Sequence, residues 1–413
     1  MRYAISNSKQ RGVDAGTSLI SFDDASQLIA AHATPLGLEY ISLDAADGRI
    51  LARPAIAQCT SPAILVSAMD GYAVRDSDLV RMPISLKIAG KSFAGAGFDG
   101  DLPSGACVRI FTGASAPAGT DRVVMQEDIY EEDGAAIFTT RLSRRRHLRF
   151  PGSDFTKGDI IVPAGSTLTP QRLIGVAASD LSNLEVFRQP RVVILCCGDE
   201  LAEPGCAGQA LGKIPESISY GIAALVRRWG GTVVARWRRP DDLVCLQATA
   251  TDAFALADVV VLIGGASVGE KDLAKDACAQ LQLELLFTKV AIKPGKPAWF
   301  GKAGKTLVVG LPGNPTSALV TARLFLAPLL AGLSGGNTAD ALDWKMMRSS
   351  VPIEGSSDRD VFLCATIMAR SAVSLSVQDS SGQKALADAT HLIRCRSGKP
   401  SSNANAFFET LAL

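Results

Sequence analysis

Histidine is scarce in this chain, which contains only His32, His147 and His391 among 413 residues. The nine cysteines include no CxxC pair, so the sequence has neither a recognisable zinc-ligand pattern nor the spacing of a disulfide framework. An odd number of unpatterned cysteines is typical of free thiols in a reducing compartment. These absences exclude a zinc centre built on a standard motif and a disulfide-rich secreted fold.

An excess of charge of either sign is also lacking. Lys plus Arg number 42 and Asp plus Glu number 41, which gives a net charge of +1 and indicates no nucleic-acid partner. The basic run 144–149 (RRRHLR) is either a solvated loop or a local polyanion site. The N-terminus has no apolar signal core and no run of about 18 apolar residues occurs, so we expect a soluble cytoplasmic protein without a membrane partner.

The apolar share of 47% over 413 residues is sufficient for several buried cores. Strand and helix patterns alternate from residue 191 to residue 333, which predicts an α/β domain with a doubly wound, mostly parallel sheet. Short β-rich segments before and after it predict further domains. The predicted domains are a mixed α/β linker domain (21–56 and 148–186), an inserted β-rich domain (57–147), the α/β domain (187–335) and a small C-terminal β-barrel (339–413).

The stretch 258–275, DVVVLIGGASVGEKDLAK, predicts a buried strand, a glycine-rich loop and a helix start. Gly264 and Gly265 allow a tight turn, and Ser267 adds a hydroxyl beside free helix N–H groups that attract anions. Glu270 and Asp272 would repel a bare phosphate, so a divalent cation between acid and anion suits this loop. An ordinary βα turn is the alternative interpretation.

Two other loops follow predicted strands of the same sheet, at Gly198-Asp199-Glu200 and at 310–315 (GLPGNP). Strand ends of a doubly wound sheet converge on one edge, where ligands bind. Between the loops lies KVAIKPGKP, which contains three lysines: Lys289, Lys293 and Lys296. Acids that hold Mg²⁺ and lysines that neutralise an oxyanion or pyrophosphate predict an anionic substrate and catalysis by charge placement and a metal.

Six motifs occur in the chain in this order: SAMDGYAV, RIFTGASAPAGTDRVVMQED, GDEL, GGASVGEKD, KVAIKPGKP and GLPGNPTSA. Together they resemble the molybdopterin molybdenumtransferase family, which comprises bacterial MoeA and the gephyrin E domain. The resemblance implies a homodimer with composite active sites. It also implies a Mg²⁺-assisted transfer of molybdenum from molybdate to adenylylated molybdopterin, with release of AMP. The upstream donor of that substrate would be a molybdopterin adenylyltransferase.

The resemblance also implies roles for individual residues. The implied catalytic residues are Asp70, Thr112, Asp154, Glu200, Asp241, Asp272, Lys289, Lys293 and Lys296. The implied substrate-binding residues are Gly264, Gly265, Ser267, Gly269, Pro312, Gly313, Asn314, Pro315, Arg359 and Ser380. The implied metal ligands are Glu200, Glu270 and Asp272. Asp70 and Thr112 would face the central domain of the partner subunit.

Several positions depart from the family pattern. Cys197 stands where the family usually has Thr, and Ile218 stands where it usually has Asn. In the tail, Arg359 keeps one family arginine, whereas a second falls on Cys364. These departures leave open a catalytically altered relative that acts as a carrier or scaffold for the pterin nucleotide. An unrelated Mg²⁺-dependent nucleotide hydrolase with the same central fold is a third hypothesis.

Overall fold

A computed structural model describes residues 19–139, 143–209, 211–264 and 273–413. The chain divides into two compact units. Of the described residues, the first unit contains those in the ranges 19–39, 48–52 and 185–413, and the second contains those in the ranges 40–47 and 53–184. Strands Leu38–Ser42 and Asn183–Phe187 include two of the four points where the chain passes from one unit to the other.

The second unit is built on a six-stranded sheet with a core on each face. In spatial order its strands are Arg122–Met125, Gly71–Val74, Ala106–Ile110, Ile84–Ser92, Ala135–Phe138 and Ile129–Glu132. Tyr72 packs in one core and Ala73 in the other, because successive side chains of a strand point to opposite faces. All four residues of Gly71–Val74 are therefore buried.

The rest of the second unit consists of short elements. Two antiparallel pairs form, one between Leu148–Arg149 and Val66–Ser67 and one between Ile160–Val162 and Ala55–Ile56. The other elements are the 3₁₀ turns Leu43–Ala45, Asp76–Leu79 and Gln126–Asp128 and the helix Pro170–Ala178. Thr169 caps that helix, since its hydroxyl accepts the N–H of Arg172, and proline occupies its first turn.

The first unit contains a second six-stranded sheet. Its strands in spatial order are Thr232–Arg239, Arg191–Cys197, Val259–Ile263, Thr306–Leu311, Trp299–Ala303 and Glu284–Phe287. The first four run parallel, Trp299–Ala303 is antiparallel to Thr306–Leu311, and Glu284–Phe287 is antiparallel to Trp299–Ala303. The central strand Val259–Ile263 is wholly buried, as its five consecutive apolar residues predict. The predicted multidomain α/β class is confirmed, whereas the four domain boundaries stay a prediction.

Helices cover both faces of this sheet, and a separate apolar cluster lies on each face. The helices of the first unit are Phe22–His32, Ile218–Arg228, Leu243–Leu256, Leu273–Ala279, Pro315–Thr321, Ala327–Leu333, Thr338–Ala341 and Gln383–Ala387. The short elements at the sheet edge are strands Leu201–Ala202 and Ile214–Pro215 and the 3₁₀ turn Ala207–Gln209. Phe22–His32 packs its buried residues into the larger cluster, together with the long helix that follows Asn314.

That long helical segment runs from Pro315 to Leu333 and has a π-helical stretch, Ala322–Leu326, in its middle. By length and composition alone this segment could cross a membrane, since its most apolar 18 residues have a mean hydropathy of 1.6. However, 89% of those residues are buried inside the protein. It is therefore a core helix of the first unit. The buried Arg323 in the π stretch donates to the carbonyls of Ala412 and Ala341, each at 2.7 Å.

The tail forms a third six-stranded sheet. Its path is Ile292–Lys293, Asp360–Met368, His391–Cys395, Phe407–Ala412 and Lys345–Arg348, with Ser371–Ser374 paired to Asp360–Met368. The first of these strands belongs to the lysine-containing segment and not to the tail. Ile292 lies opposite Asp360 and Lys293 opposite Val361, so the tail sheet and the lysine segment are joined directly.

Candidate functional site

Five predicted site residues lie outside the described residues. They are Gly265, Ser267, Gly269, Glu270 and Asp272. The others fall into two cavities of the first unit and one loop pair of the second, apart from Lys289 and Asp154.

The parallel strands of the central sheet end at one edge and bring three loops together. Cys196 lies opposite Ile263, which in turn lies opposite Leu311. Gly264 has a φ of +84°, and a Cβ on it would lie 2.7 Å from the carbonyl oxygen of Cys197. A Cβ on Gly313 would lie 3.6 Å from the Cα of Gly264. Glycine at 264 therefore lets the three loops pack closely.

This edge forms a cavity of about 610 Å³, here called the acidic cavity. Seven predicted site residues line it: Glu200, Asp241, Gly264, Pro312, Gly313, Asn314 and Pro315. The lining also includes residues that were not predicted to contact ligand: Glu216, Ser217, Ser381 and Gln383. Cys197 and Ile218, the two departures from the family pattern in this part of the chain, line it as well.

The loop contacts set the positions of the acids. The backbone N–H of Asp241 donates to Oδ1 of Asp199 at 3.1 Å, which joins the loops that follow two neighbouring strands. A Cβ on Gly198 would lie 2.7 Å from Oε2 of Glu200, so the Glu200 carboxylate lies over the Gly198 backbone. Both Glu200 and Asp241 are exposed, as expected of groups that contact ligand and not core.

Glu216 is the buried acid of this cavity, with 5% of its surface exposed. It accepts the backbone N–H of Ser219 at 2.8 Å and also the Ser219 hydroxyl, and it lies 3.8 Å from the Arg236 guanidinium. A buried carboxylate needs such partners. The signal in the sequence is an acid three residues before a serine at a helix start, which by itself does not indicate a ligand-binding residue.

The two thiols at the base of the acidic cavity are not activated nucleophiles. Burial raises the pKa of Cys197 to about 12, and Asp241 adds to this effect. Burial also raises the pKa of Cys196, whose thiol donates to Glu216 at 3.5 Å. Because the thiolate is the reactive form, neither residue is suited to covalent catalysis.

A second cavity of about 740 Å³, here called the cationic cavity, lies between the lysine segment and the tail. The predicted residues Lys293, Lys296, Arg359 and Ser380 line it, together with the unpredicted acids Glu354 and Asp358. Lys289 lines neither of the two cavities. Its carbonyl accepts the backbone N–H of Ile20 at 3.2 Å, and its side chain is exposed.

Pairing with the tail holds the lysine segment in place. Strand Ile292–Lys293 lies beside Asp360, whose carboxylate accepts from Arg394 at 2.7 Å and from the backbone N–H of Ser397 at 2.9 Å. Gly295 has a φ of +106°, and a Cβ there would lie 2.2 Å from a methyl group of Thr321. The turn therefore packs directly on the helix that follows Asn314.

The acidic and cationic cavities are neighbours. Pro297 lines both. The Asn314 amide donates to the Ser380 hydroxyl at 3.2 Å, and the backbone N–H of Thr316 donates to the Ser380 carbonyl at 3.0 Å. The structure thus brings Asn314 and Ser380 together at the boundary of the two cavities.

In the second unit, Asp70 and Thr112 form a hydrogen-bonded pair. The backbone N–H and the hydroxyl of Thr112 donate to Oδ1 of Asp70 at 2.8 and 2.7 Å. The two residues meet because Gly71 lies opposite Ile110 in the sheet. The Thr112 hydroxyl is the main cause of the lowered pKa of Asp70. Asp154 is exposed in the same unit, and its backbone N–H donates to Ser61 at 3.1 Å.

Among the described residues, no group of three His, Cys, Asp or Glu side chains is arranged to hold a metal ion. Glu200 is the one predicted metal ligand that these residues include. Its carboxylate and that of Asp241 line the same cavity and are of the oxygen donor type that Mg²⁺ prefers.

Two family models match the chain. One, described as the MoeA N-terminal region (domains I and II), matches residues 20–179. The other, described as a probable molybdopterin binding domain, matches residues 193–332. The second match contains the strand ends and loops of the acidic cavity up to Pro315, and the lysines of the cationic cavity.

Curated relatives and solved structures agree with these matches. A molybdopterin molybdenumtransferase from Haemophilus influenzae is 39% identical over 319 residues, which are 77% of this chain and 78% of that protein. One from a Nostoc species is 36% identical over 304 residues, 72% of this chain and 70% of that protein. The crystal structure of a molybdopterin biosynthesis MoeA protein from Pyrococcus horikoshii matches with a TM-score of 0.78 at 26% identity, covering 96% of this chain and 99% of that one. The chain belongs to the molybdopterin molybdenumtransferase family.

Proposed function

We propose that this protein inserts molybdenum from molybdate into adenylylated molybdopterin, with release of AMP, as a transferase of molybdenum cofactor biosynthesis. The observation that carries the proposal is the adjacency of the two cavities, one lined by acids and glycine-rich loops and the other by lysines and an arginine. Two differently charged compartments joined at Asn314 and Ser380 suit a reaction between a nucleotide-linked pterin and a small oxyanion.

The cationic cavity is the proposed molybdate site. Lys293 and Lys296 are exposed ammonium groups, and Arg359 adds a guanidinium, so a tetrahedral oxyanion finds both point charges and hydrogen-bond donors there. Ser380 supplies a hydroxyl at the boundary with the other cavity. Lys289 is retained as a proposed catalytic residue from the family motif alone.

The acidic cavity is the proposed site of the adenylylated pterin and of Mg²⁺. Glu200 and Asp241, with Asp272 and Glu270 retained from the family motif alone, are the proposed acids around metal and pyrophosphate. Bound Mg²⁺ would neutralise phosphate charge that these carboxylates otherwise repel. The glycine loops at Gly264 and Gly313 leave room for a ligand to approach the backbone.

A homodimer with composite sites is part of the proposal. Asp70 and Thr112 form a hydrogen-bonded pair in the second unit, with Thr112 exposed and Asp70 partly exposed, which fits a contact with substrate held by the partner subunit. Asp154 remains a proposed acid of the same unit. The proposed location is the cytoplasm, and the proposed donor of adenylylated molybdopterin is a molybdopterin adenylyltransferase.

A carrier or scaffold function is the second candidate. The observation in its favour is that Cys197 and Ile218 place a thiol and an apolar side chain in the lining of the acidic cavity. A carrier would bind adenylylated molybdopterin without turning it over.

The test separates these candidates with purified protein, adenylylated molybdopterin, molybdate and a Mg²⁺ titration. A transferase releases AMP only when molybdate and Mg²⁺ are both present, and Glu200→Ala abolishes the release without lowering the melting temperature. Binding without AMP release would favour the carrier. Molybdate-independent hydrolysis of ATP would favour a nucleotide hydrolase and contradict the proposal.

A further inference from the structure

The cationic cavity contains two carboxylates as well as its three cations. Glu354 and Asp358 line it together with Lys293, Lys296 and Arg359. An oxyanion that enters therefore meets a net charge of about one positive unit and not three, since each carboxylate offsets one cation. One of these carboxylates, that of Asp358, forms hydrogen bonds with the Arg359 guanidinium.

Asp358 occupies one side of the Arg359 guanidinium. Both Nε and Nη2 of Arg359 donate to Oδ2 of Asp358, at 3.0 and 2.6 Å. These two N–H groups form the fork that arginine offers to an oxyanion in bidentate contacts. The chain's own carboxylate thus takes the place that two oxygens of a bound oxyanion would take.

Asp358 also interacts electrostatically with Lys296. Its pKa lies below the ordinary value, mainly because of the hydrogen bond from Arg359, and the charge of Lys296 contributes. The carboxylate is therefore ionised at neutral pH and interacts with two of the three cations of the cavity.

Neighbouring elements hold the backbone at Arg359, and the Asp358 side chain is more exposed than the Arg359 side chain. The Ser356 hydroxyl donates to the Arg359 carbonyl, and the next residue, Asp360, is held by Arg394 and Ser397. The Asp358 side chain is 63% exposed, and the Arg359 side chain is 35% exposed. Exposed ion pairs are weak, so a dianion with several oxygens can displace this carboxylate.

We propose that Asp358 is an internal competing anion, which occupies Arg359 in the absence of substrate and thereby weakens the hold of the cavity on molybdate. This inference rests on the proposed molybdate site. Asp358 acts here as a determinant of affinity and not as a catalytic residue. Weak binding suits an oxyanion that must leave this cavity to react with a pterin.

The test measures molybdate binding by calorimetry at an ionic strength on the order of 10 mM, where charge screening is small. Asp358→Asn should bind molybdate about 1.5- to fivefold more tightly than the wild type, the range expected for release from an exposed ion pair. Asp358→Ser repeats the test without an amide that can keep a hydrogen bond to the arginine. When Arg359 is replaced by glutamine, the increase in molybdate affinity caused by Asp358→Asn should be at most half as large.

Asp343→Asn is the matched control, because Asp343 forms a similarly exposed ion pair with Lys345 at 2.7 Å and lines neither cavity. It should leave the molybdate affinity unchanged. If both substitutions of Asp358 weaken binding, Asp358 orients Arg359 and the competition is refuted. If the Asp358 variants bind molybdate as the wild type does while Lys293→Gln binds it more weakly, the competition is also refuted, but the proposed molybdate site is supported. If the wild type binds no molybdate, both proposals are wrong.

Discussion

Replacing Lys293 with glutamine should weaken molybdate binding without a loss of stability. Lys293 is exposed at the end of a two-residue strand and lines the cationic cavity, so the substitution removes a charge from the cavity and no side chain from a core. An ammonium about 4 Å from a unit negative charge in a water-like dielectric contributes about 1 kcal/mol, and a dianion about twice that. The expected loss of affinity is therefore about 5- to 30-fold.

The assay is calorimetric titration with molybdate at two ionic strengths. Wild-type affinity should fall as the ionic strength rises from about 0.01 to about 0.15 M, because the screening length shortens from about 30 to about 8 Å. Lys302→Gln is the control, since Lys302 pairs with Glu284 at 3.2 Å and lines neither cavity. A change of less than about twofold for Lys293→Gln, or a salt-insensitive affinity, would refute the electrostatic reasoning.

Three further predictions concern stability and assembly. The Asp258 side chain is 12% exposed. Burial tends to raise its pKa, but hydrogen bonds from Arg188 and from the backbone and side chain of Arg191 lower the pKa from 3.8 to about 2. Asp258→Asn should therefore lower the unfolding free energy by about 2 kcal/mol at pH 7. This difference between wild type and variant should shrink as the pH falls from about 4 to about 2, where the wild-type carboxylate becomes protonated. A difference in unfolding free energy that urea titrations show to be independent of pH would contradict this. Arg323→Met should lower the unfolding free energy by roughly 3 kcal/mol, because the two carbonyls that Arg323 contacts lose their hydrogen-bond donor. A melting temperature equal to that of the wild type would contradict this and show that packing alone stabilises the π stretch. Mixing inactive Asp70→Ala and Glu200→Ala subunits should restore about half of the wild-type activity per heterodimer, since one composite site is then intact; no recovery after proven subunit exchange would place both residues in a site within one chain.

The central sheet could be predicted because its strands carry a strong local signal. Val259–Ile263 consists of five consecutive apolar residues and occupies a fully buried strand. The loops that follow such strands meet at one edge as a consequence of parallel pairing, which explains why Glu200, Asp241 and Gly313 line one cavity. Glu200 and Gly313 can be placed from local pattern and general topology, whereas only the family resemblance indicates Asp241.

The cationic cavity could not be predicted from local pattern, because it depends on long-range pairing. Strand Ile292–Lys293 contains two residues and pairs with Asp360 and Val361, which follow it by more than 60 positions. No periodicity in so short a segment indicates a partner. The contribution of Glu354 and Asp358 to the cavity follows from this pairing and was missed for the same reason.

The long helix before residue 334 illustrates a second limit. Its apolar residues predict a continuous helix, but the structure contains a π stretch at Ala322–Leu326. Arg323 lies in that stretch and reaches two carbonyls in other parts of the first unit. Helical periodicity cannot indicate such a local change, because it depends on partners that are distant in the sequence.

The central claim is that the two neighbouring cavities act together in a transfer of molybdenum. The measurement that tests it most directly is the release of AMP from adenylylated molybdopterin as a function of molybdate concentration, in the presence of Mg²⁺, for the wild type and for Lys293→Gln. We expect no release without molybdate, saturable release with it, and a higher half-saturating molybdate concentration for the variant. Release that does not depend on molybdate, or an identical molybdate dependence in both proteins, would contradict the claim.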